Sequence, residues 1–316
     1  MADILFVKTS SLGDVIHHMP ALTEARRHRP DVRFTWAVEE AFAPLVRLHP
    51  AAGDIIPVGE RRWRSHSYMP STWPDILATK RKLGERTYDD VVDTQGLLKS
   101  ALLVACARGR KQGYDSASIK EPLASSFYDV KHRVSRDLHA VERNRILTGL
   151  ALGYTPGGAP DYGLDRGALR TPGGEPYGVM LHGTARPEKE WPMASWIELG
   201  QWLSRNGTQL RVLWGNERER ARAADIARGV PDAEVPDKIP LDAVARLIAG
   251  AQFVVGVDTG LLHLAAAFGV PLVAIFCGSE PKLTAPVGSG PIEVLGGKGA
   301  VPTPVEVMSA LKRVRG

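Results

Sequence analysis

The sequence predicts an α/β protein built from two Rossmann-like, doubly wound parallel-sheet domains facing a cleft. Three observations predict it. Short apolar runs alternate with amphipathic stretches along the whole chain. The runs are rich in β-branched residues and uninterrupted, as strands covered on both faces are, instead of alternating in polarity. The alternation stops once, in the Gly- and Pro-rich stretch between Gly153 and Gly178, and then restarts. A chain of 316 residues is also about two domains long by ordinary domain size.

In the first half the apolar runs predict strands at Ile4–Val7, Arg33–Val38, Asp54–Val58, Asp89–Asp93 and Gln112–Tyr114. Amphipathic periodicity predicts helices at Asp14–His28, Glu40–Leu48, Pro74–Arg86 and Leu97–Arg108, with a longer one at Asp137–Leu152. The first domain is therefore read as residues 1–155 and the linker as 156–177. The second domain, 178–300, carries strands at Gly178–Leu181, Gln209–Trp214, Phe253–Val257 and Leu272–Phe276, with a short one near Ala233–Val235. Its helices are Met193–Asn206, Glu217–Arg228, Leu241–Ala251 and Leu261–Phe268. A last helix, Val305–Val314, lies in a terminal segment 301–316.

Composition excludes several classes. Hydrophobic residues make up 44% and charged residues 24%, which speaks against disorder and fibrous repeats. Only Cys106 and Cys277 occur, with no CxxC, so neither a disulfide scaffold nor a cysteine-bound zinc is expected, and a reducing cytosol fits. The apolar run Ile4–Val7 follows an acid and reads as a buried strand, not a signal peptide. No stretch approaches the roughly 20 apolar residues that span a bilayer, so the chain is expected to be soluble or to sit on a membrane surface.

The net charge of +5 is unevenly placed. Residues 1–160 hold 23 Lys/Arg against 18 Asp/Glu, and residues 161–316 hold 17 of each. The densest stretch is Arg61, Arg62, Arg64, Lys80, Arg81, Lys82 and Arg86. A solvated basic face and a dock for an anionic lipid or phosphorylated glycan both fit it. Nucleic acid is the weaker partner, because no recognition motif is present and aromatic interleaving hardly extends beyond Trp63.

In sheets of this kind sites lie outside the carboxyl ends of the strands. After the first strand comes Lys8-Thr9-Ser10-Ser11-Leu12-Gly13-Asp14, a polar loop with a single glycine that is neither GxGxxG nor a P-loop. Asp14 stands where a helix starts, and two roles fit the position: a helix cap, or a general base facing the cleft. Asp93-Thr94-Gln95-Gly96, with Lys99 a turn later, adds a second loop on that side. In the second half, Val257-Asp258-Thr259-Gly260 runs into an Ala/Leu-rich helix whose first N–H groups suit a pyrophosphate. His263 shares a face with Thr259 four residues earlier. Leu181-His182-Gly183-Thr184, followed by Arg186 and Lys189, offers a hydroxyl and two cations. Trp214-Gly215-Asn216-Glu217-Arg218-Glu219 offers a carboxylate that suits a ribose or, equally, simple helix-surface charge.

These segments, taken in order, resemble glycosyltransferase family 9, the family of the lipopolysaccharide heptosyltransferases. The resemblance runs through KTSSLGDVIHHMPALTEA, VVDTQGLLKSAL, KEPLASSFY, HAVERNR, LHGTARPEKEWP, LWGNERERA and FVVGVDTGLLHLAAA, which covers nearly the whole chain. RRWR and EPLASSFY are more similar to the type I branch than to type II.

The resemblance implies a GT-B fold, with the acceptor on the first domain, the nucleotide-sugar on the second, and the terminal helix crossing back onto the first. It implies an inverting transfer of L-glycero-D-manno-heptose from ADP-heptose to the inner Kdo of Kdo2-lipid A in lipopolysaccharide core synthesis. Asp14 would be the catalytic base. Thr184, Lys189, Glu219, Asp258, Thr259, Gly260 and His263 would bind the donor. Ser10, Gly13, Arg61, Arg62, Arg64, Gln95, Lys99 and Lys120 would bind the acceptor. It implies no required metal, with Mg²⁺ at most stimulatory, and a peripheral, electrostatic contact with the cytoplasmic face of the inner membrane of a Gram-negative bacterium. The competing readings are a type II or other family 9 transferase, a nicotinamide-dependent oxidoreductase, which the missing GxGxxG disfavours, and a non-catalytic binder of anionic glycans.

Overall fold

The computed structural model describes residues 2–65, 72–170 and 173–316. They form two units, Met1–Gly163 and Leu164–Gly316. The first carries β1 (Asp3–Val7), α1 (Leu12–His28), β2 (Arg33–Glu39), α2 (Ala43–Val46), β3 (Asp54–Val58), α3 (Glu60–Ser65), α4 (Trp73–Gly84), β4 (Thr87–Asp93), α5 (Leu98–Cys106), β5 (Arg108–Tyr114), β6 (Val130–His132) and α6 (Ala140–Leu152). The second carries α7 (Arg166–Leu169), β7 (Tyr177–Leu181), α8 (Met193–Arg205), β8 (Gln209–Val212), α9 (Glu217–Arg228), β9 (Ala233–Glu234), α10 (Leu241–Gly250), β10 (Phe253–Val257), α11 (Gly260–Ala267), β11 (Leu272–Phe276), β12 (Ile292–Gly296) and α12 (Pro304–Arg315).

Each unit builds one six-stranded sheet, in the orders β3-β2-β1-β4-β5-β6 and β12-β11-β10-β7-β8-β9, and every pairing is parallel. Counted within its own unit, each sheet has the order 3-2-1-4-5-6. Winding therefore reverses between β1 and β4 in the first unit and between β7 and β10 in the second. Parallel sheets of this order open a crevice outside the carboxyl ends of the two strands at that switch point. The central strands are what their composition dictates: β1, β10 and β11 are buried along their whole length. Burying each large aliphatic side chain in such a core contributes about 1.5–3 kcal/mol.

Three features depart from the expectations. The edge strands β6 and β12 were not anticipated, because they are short and only partly buried, so no apolar run marks them. The helix expected to reach Arg108 stops at Cys106, and β5 begins at Arg108 on a charged sequence, RGRKQGY. The terminal helix belongs to the second unit. Val307, Ala310, Leu311 and Val314 of α12 are buried in the second unit's own core, and α12 packs on α8, β11 and β12. A capping box starts this helix, with Thr303 N and Oγ1 donating to Glu306 Oε2 at 2.7 and 2.8 Å.

Two arginines divide the expected linker between the units. Arg145 of α6 is buried and donates to both carboxylate oxygens of Glu24 in α1, at 3.0 and 2.6 Å. The same guanidinium reaches the carbonyls of Gly157 and Gly158, which holds this stretch to the first unit. Arg166 donates to the carbonyls of Ala249 and Ala251, which holds the following stretch to the second.

Candidate active site

In the first unit the switch point holds a pocket of about 240 Å³ lined by Lys8, Ser10, Ser11 and Asp14 from the β1–α1 loop, Thr94, Gln95, Gly96 and Leu97 from the β4–α5 loop, and Tyr114, Lys120, Ala140, Arg143 and Asn144. Asp14 takes part in the helix cap and also lines this pocket of the first unit. Ser11 caps α1, and Asp14, three residues on, accepts from Ser11 N at 2.8 Å and Ser11 Oγ at 2.9 Å, both through Oδ2. Its second oxygen, Oδ1, accepts no hydrogen bond among the described residues, and the side chain lines the pocket.

The loop that carries Asp14 is braced from three sides. Gln95 Oε1 accepts from Thr9 N and Ser10 N at 3.1 and 3.2 Å. Lys99 Nζ donates to Ser10 Oγ and to Glu60 Oε2, each at 2.6 Å, and Thr9 Oγ1 donates to that same Glu60 oxygen. The β4–α5 loop is set in turn by Asp93, which is buried. It accepts from Gln95 N, Gly96 N and the Tyr128 hydroxyl, yet burial still raises its carboxyl above the usual range. Gly96 takes the left-handed conformation, φ +69°, and a Cβ there would crowd Ile119 and Tyr114.

Besides Lys120, the cations around this pocket are Lys8 and Arg143, which were not among the predicted acceptor residues. Lys8 is buried beneath it and donates to Thr94 O at 2.7 Å and Asn144 Oδ1; burial pulls its ammonium below the ordinary lysine range. Arg143 lies over the Tyr114 ring at 4.7 Å and donates to Ser118 O. Its Nε is buried without a partner. Lys8 stands in the loop that the sequence picked out after β1 but was given no role there, and Arg143 sits 129 positions after Asp14 in an ordinary helical pattern. Of the predicted acceptor residues, Ser10, Gln95 and Lys120 line the pocket.

Gly13, Lys99, Arg61 and Arg62 do not line it. Gly13 is buried in the first turn of α1. Lys99 is committed to Ser10 and Glu60. Arg61 stacks on Phe42 at 4.8 Å. Arg62 is paired with Glu40 and Asp75. The side chain of Arg64, like residues 66–71 and 171–172, lies outside the described residues.

In the second unit the β7 and β10 ends meet in the same way. Thr184 Oγ1 donates to Asp258 O at 3.0 Å, and Lys189 Nζ donates to Asp258 Oδ2 at 2.5 Å. Ser279, unforeseen in the sequence, donates to that same oxygen at 2.6 Å. Burial pushes the Asp258 carboxyl up, but the hydrogen bonds from Lys189 and Ser279 and the charges of Lys189 and His263 outweigh it and hold the carboxyl below its usual range. Thr259 caps α11, Gly260 opens it, and His263 is buried one turn in, on the Thr259 face. The first-turn N–H groups of Gly260 and Leu261 thus follow closely on Asp258, the partner of Lys189.

Glu219 is not plain surface charge. It accepts from Gly215 N at 2.7 Å and from Asn216 Nδ2 at 2.9 Å, which brings its carboxylate against Gly183. A Cβ at position 183 would lie 2.6 Å from Glu219 Cδ, so glycine there is what admits the carboxylate to the end of β7. A roomier hollow of about 930 Å³ lies at the opposite, amino ends of these strands, near Tyr177, Gln209 and Gln252, away from all of these groups. Among the described residues no group of three or more His, Cys, Asp or Glu is set to hold a metal ion.

Comparison with known proteins supplies the context. Residues 76–311 match the family model for glycosyltransferase family 9 (heptosyltransferase). The chain is 43% identical over 284 residues to lipopolysaccharide heptosyltransferase 1 of Salmonella typhimurium, covering 89% of this chain and 90% of the relative. It superposes on the E. coli heptosyltransferase WaaC with ADP at a TM-score of 0.92 and 38% identity, covering 98% and 99% of the two chains. The WaaC structure with ADP-2-deoxy-2-fluoro heptose gives 0.89 and 39% with the same coverage.

Proposed function

Because the chain belongs to glycosyltransferase family 9, we propose that this heptosyltransferase of lipopolysaccharide core synthesis takes ADP-heptose as donor and the inner Kdo of Kdo2-lipid A as acceptor, with inversion at the anomeric carbon. The observation that carries the reading is Asp14. One carboxylate oxygen is fastened to the start of α1, and the other is left over in a pocket whose remaining charged lining is cationic. An anionic sugar acid is attracted by Lys8, Lys120 and Arg143, and its hydroxyl then meets a base already oriented by the helix.

The chemistry follows from that placement. The acceptor oxygen attacks C1 of the heptose as its proton passes to Asp14 Oδ1. The bond from C1 to the β-phosphate oxygen breaks, and its electron pair leaves with ADP. Charge therefore develops on the diphosphate, where fixed donors act most strongly. The α11 N–H groups, Lys189 and His263 supply them in this reading. Lys189, hydrogen-bonded to Asp258, would turn to the phosphates in this reading while Asp258 accepts from heptose hydroxyls. Glu219, pinned by Gly215 and Asn216, takes the ribose diol. No step needs a metal, and Mg²⁺ would do no more than support the leaving diphosphate.

The basic first unit fits an acceptor that carries carboxylates and phosphates, and it fits peripheral, electrostatic attachment to the inner membrane. The test is ADP release with ADP-heptose in the presence and absence of deacylated Kdo2-lipid A. Acceptor-dependent release with an inverted anomeric product supports the reading. Release that ignores the acceptor, or retention of configuration, rejects it.

A further inference from the structure

The first unit leaves an apolar surface that the transfer reaction does not use. On α4, Trp73 and Leu77 are 58% and 60% exposed and lie one turn apart. On α5, Leu98 and Leu102 are 39% and 54% exposed, also one turn apart. Leu123, in the 3₁₀ turn Pro122–Phe127, is 75% exposed. These elements are neighbours: α4 packs on α5, α5 packs on the 3₁₀ turn, and the Leu98 amide donates to Glu121 at 2.6 Å. Large side chains gathered in this way on adjacent elements mark a surface that something covers.

Charge says what covers it. The face of α4 that begins with Trp73 and Leu77 continues into Lys80 and Arg81, both exposed and without an acidic partner among the described residues. Lys120 stands beside the 3₁₀ turn. The nearby acids are already engaged, Asp75 by Arg62 and Glu121 by the Leu98 amide. An apolar stripe ending in lysine and arginine matches the boundary between acyl chains and anionic headgroups.

We infer that Trp73, Leu77, Leu98, Leu102 and Leu123 seat this unit in an anionic lipid bilayer, with Lys80, Arg81 and Lys120 at headgroup level. This rests on the reading that the acceptor sugar is anchored to lipid, and it adds an apolar insertion to what charge alone would do. Lys120 and Leu97 line the Asp14 pocket and adjoin this surface, so the pocket mouth sits at the height of the headgroups. A saccharide head reaches Asp14 there while its acyl chains stay in the membrane.

The test is co-sedimentation of the full chain with vesicles of phosphatidylcholine alone or mixed with phosphatidylglycerol, alongside turnover on deacylated acceptor. Wild type should partition onto the anionic vesicles. The triple variant L77Q/L102Q/L123Q should lose about tenfold or more of that partitioning, as three inserted side chains are removed, with its thermal unfolding and its turnover on soluble acceptor unchanged. K80S/R81S should weaken partitioning most at low salt, and W73F should abolish part of a lipid-induced blue shift in tryptophan emission. Triple-variant partitioning equal to wild type overturns the inference. So does a dimer that the leucine substitutions dissociate while vesicle binding is kept, since a second copy would then cover the surface. Vesicle binding through these residues by a protein that transfers no heptose supports the surface and rejects the acceptor reading instead.

Discussion

The two units share one strand order and each sets a carboxylate at the same topological position, yet the partners of that carboxylate differ. At β1/β4 the hydrogen bonds to the Asp14 carboxylate come from Ser11, and of the cations that line the pocket Lys8 is buried and Arg143 is stacked on Tyr114. At β7/β10 the two donors to Asp258 meet on one oxygen, Oδ2, and one of them is the Lys189 ammonium. Under the proposed function the first arrangement would leave a base ready to take a proton, and the second would store a cation for the diphosphate. A common scaffold therefore says where chemistry happens, and the loop side chains say which chemistry.

Asp14 offers the sharpest way to break the comparison. Asp14→Asn keeps an acceptor oxygen for the Ser11 cap but cannot take the proton. Turnover should fall about 10²–10⁴-fold while the thermal transition and ADP affinity stay close to wild type. An Asn variant with near-normal turnover would make Asp14 a cap and nothing more. Next in size is Arg145→Ala, which leaves Glu24 buried without its partner and should cost about 3–5 kcal/mol. Denaturant unfolding should show that loss in the first unit and leave the second unit's transition in place.

Acid stability comes next. Burial pulls His49 in the first unit and His182 in the second down to about 4. The unfolded chain binds protons below about pH 6.5 that the folded chain refuses, so each unit should lose stability as pH falls from 6.5 to 4, by at most about 3 kcal/mol per histidine. His49 has partners in Thr23 and Ala51, whereas neither ring nitrogen of His182 has one among the described residues. His182→Leu should therefore flatten the pH dependence of the second unit alone, read by urea titration at several pH values. Lys189→Ala should cut turnover about 10²-fold, the usual weight of one charge-stabilising donor, and raise the donor KM without moving the acceptor KM. The smallest effect belongs to Arg62→Ser, because that guanidinium is spent on Glu40 and Asp75. Its acceptor KM should change by less than about twofold, within the range of exposed pairs; a larger, salt-sensitive change would show that the ion pairs open to bind acceptor.

Much of this was legible in the sequence because buried parallel strands announce themselves. β1, β10 and β11 are continuous apolar runs, and the loops after them are where Asp14 and Asp258 were sought. The edge strands β6 and β12 were not legible, since VKH and IEVLG face solvent in part and carry no run. The amphipathic stripe of α12 was visible, but a stripe does not say which surface it covers. The basic residues misled for a related reason: charge density is local in sequence, whereas pairing is not. Nothing near RRWR shows that Asp75 will take Arg62, and nothing near HAVERNR shows that Arg143 will lie on Tyr114.

The capping box at the start of α1 has a consequence for how such an enzyme diversifies. Under the proposed function its two carboxylate oxygens would answer to separate demands, one architectural and one reactive, and Asn would meet only the first. A change of acceptor would then have to come from rewriting the pocket around position 14 and not from position 14 itself.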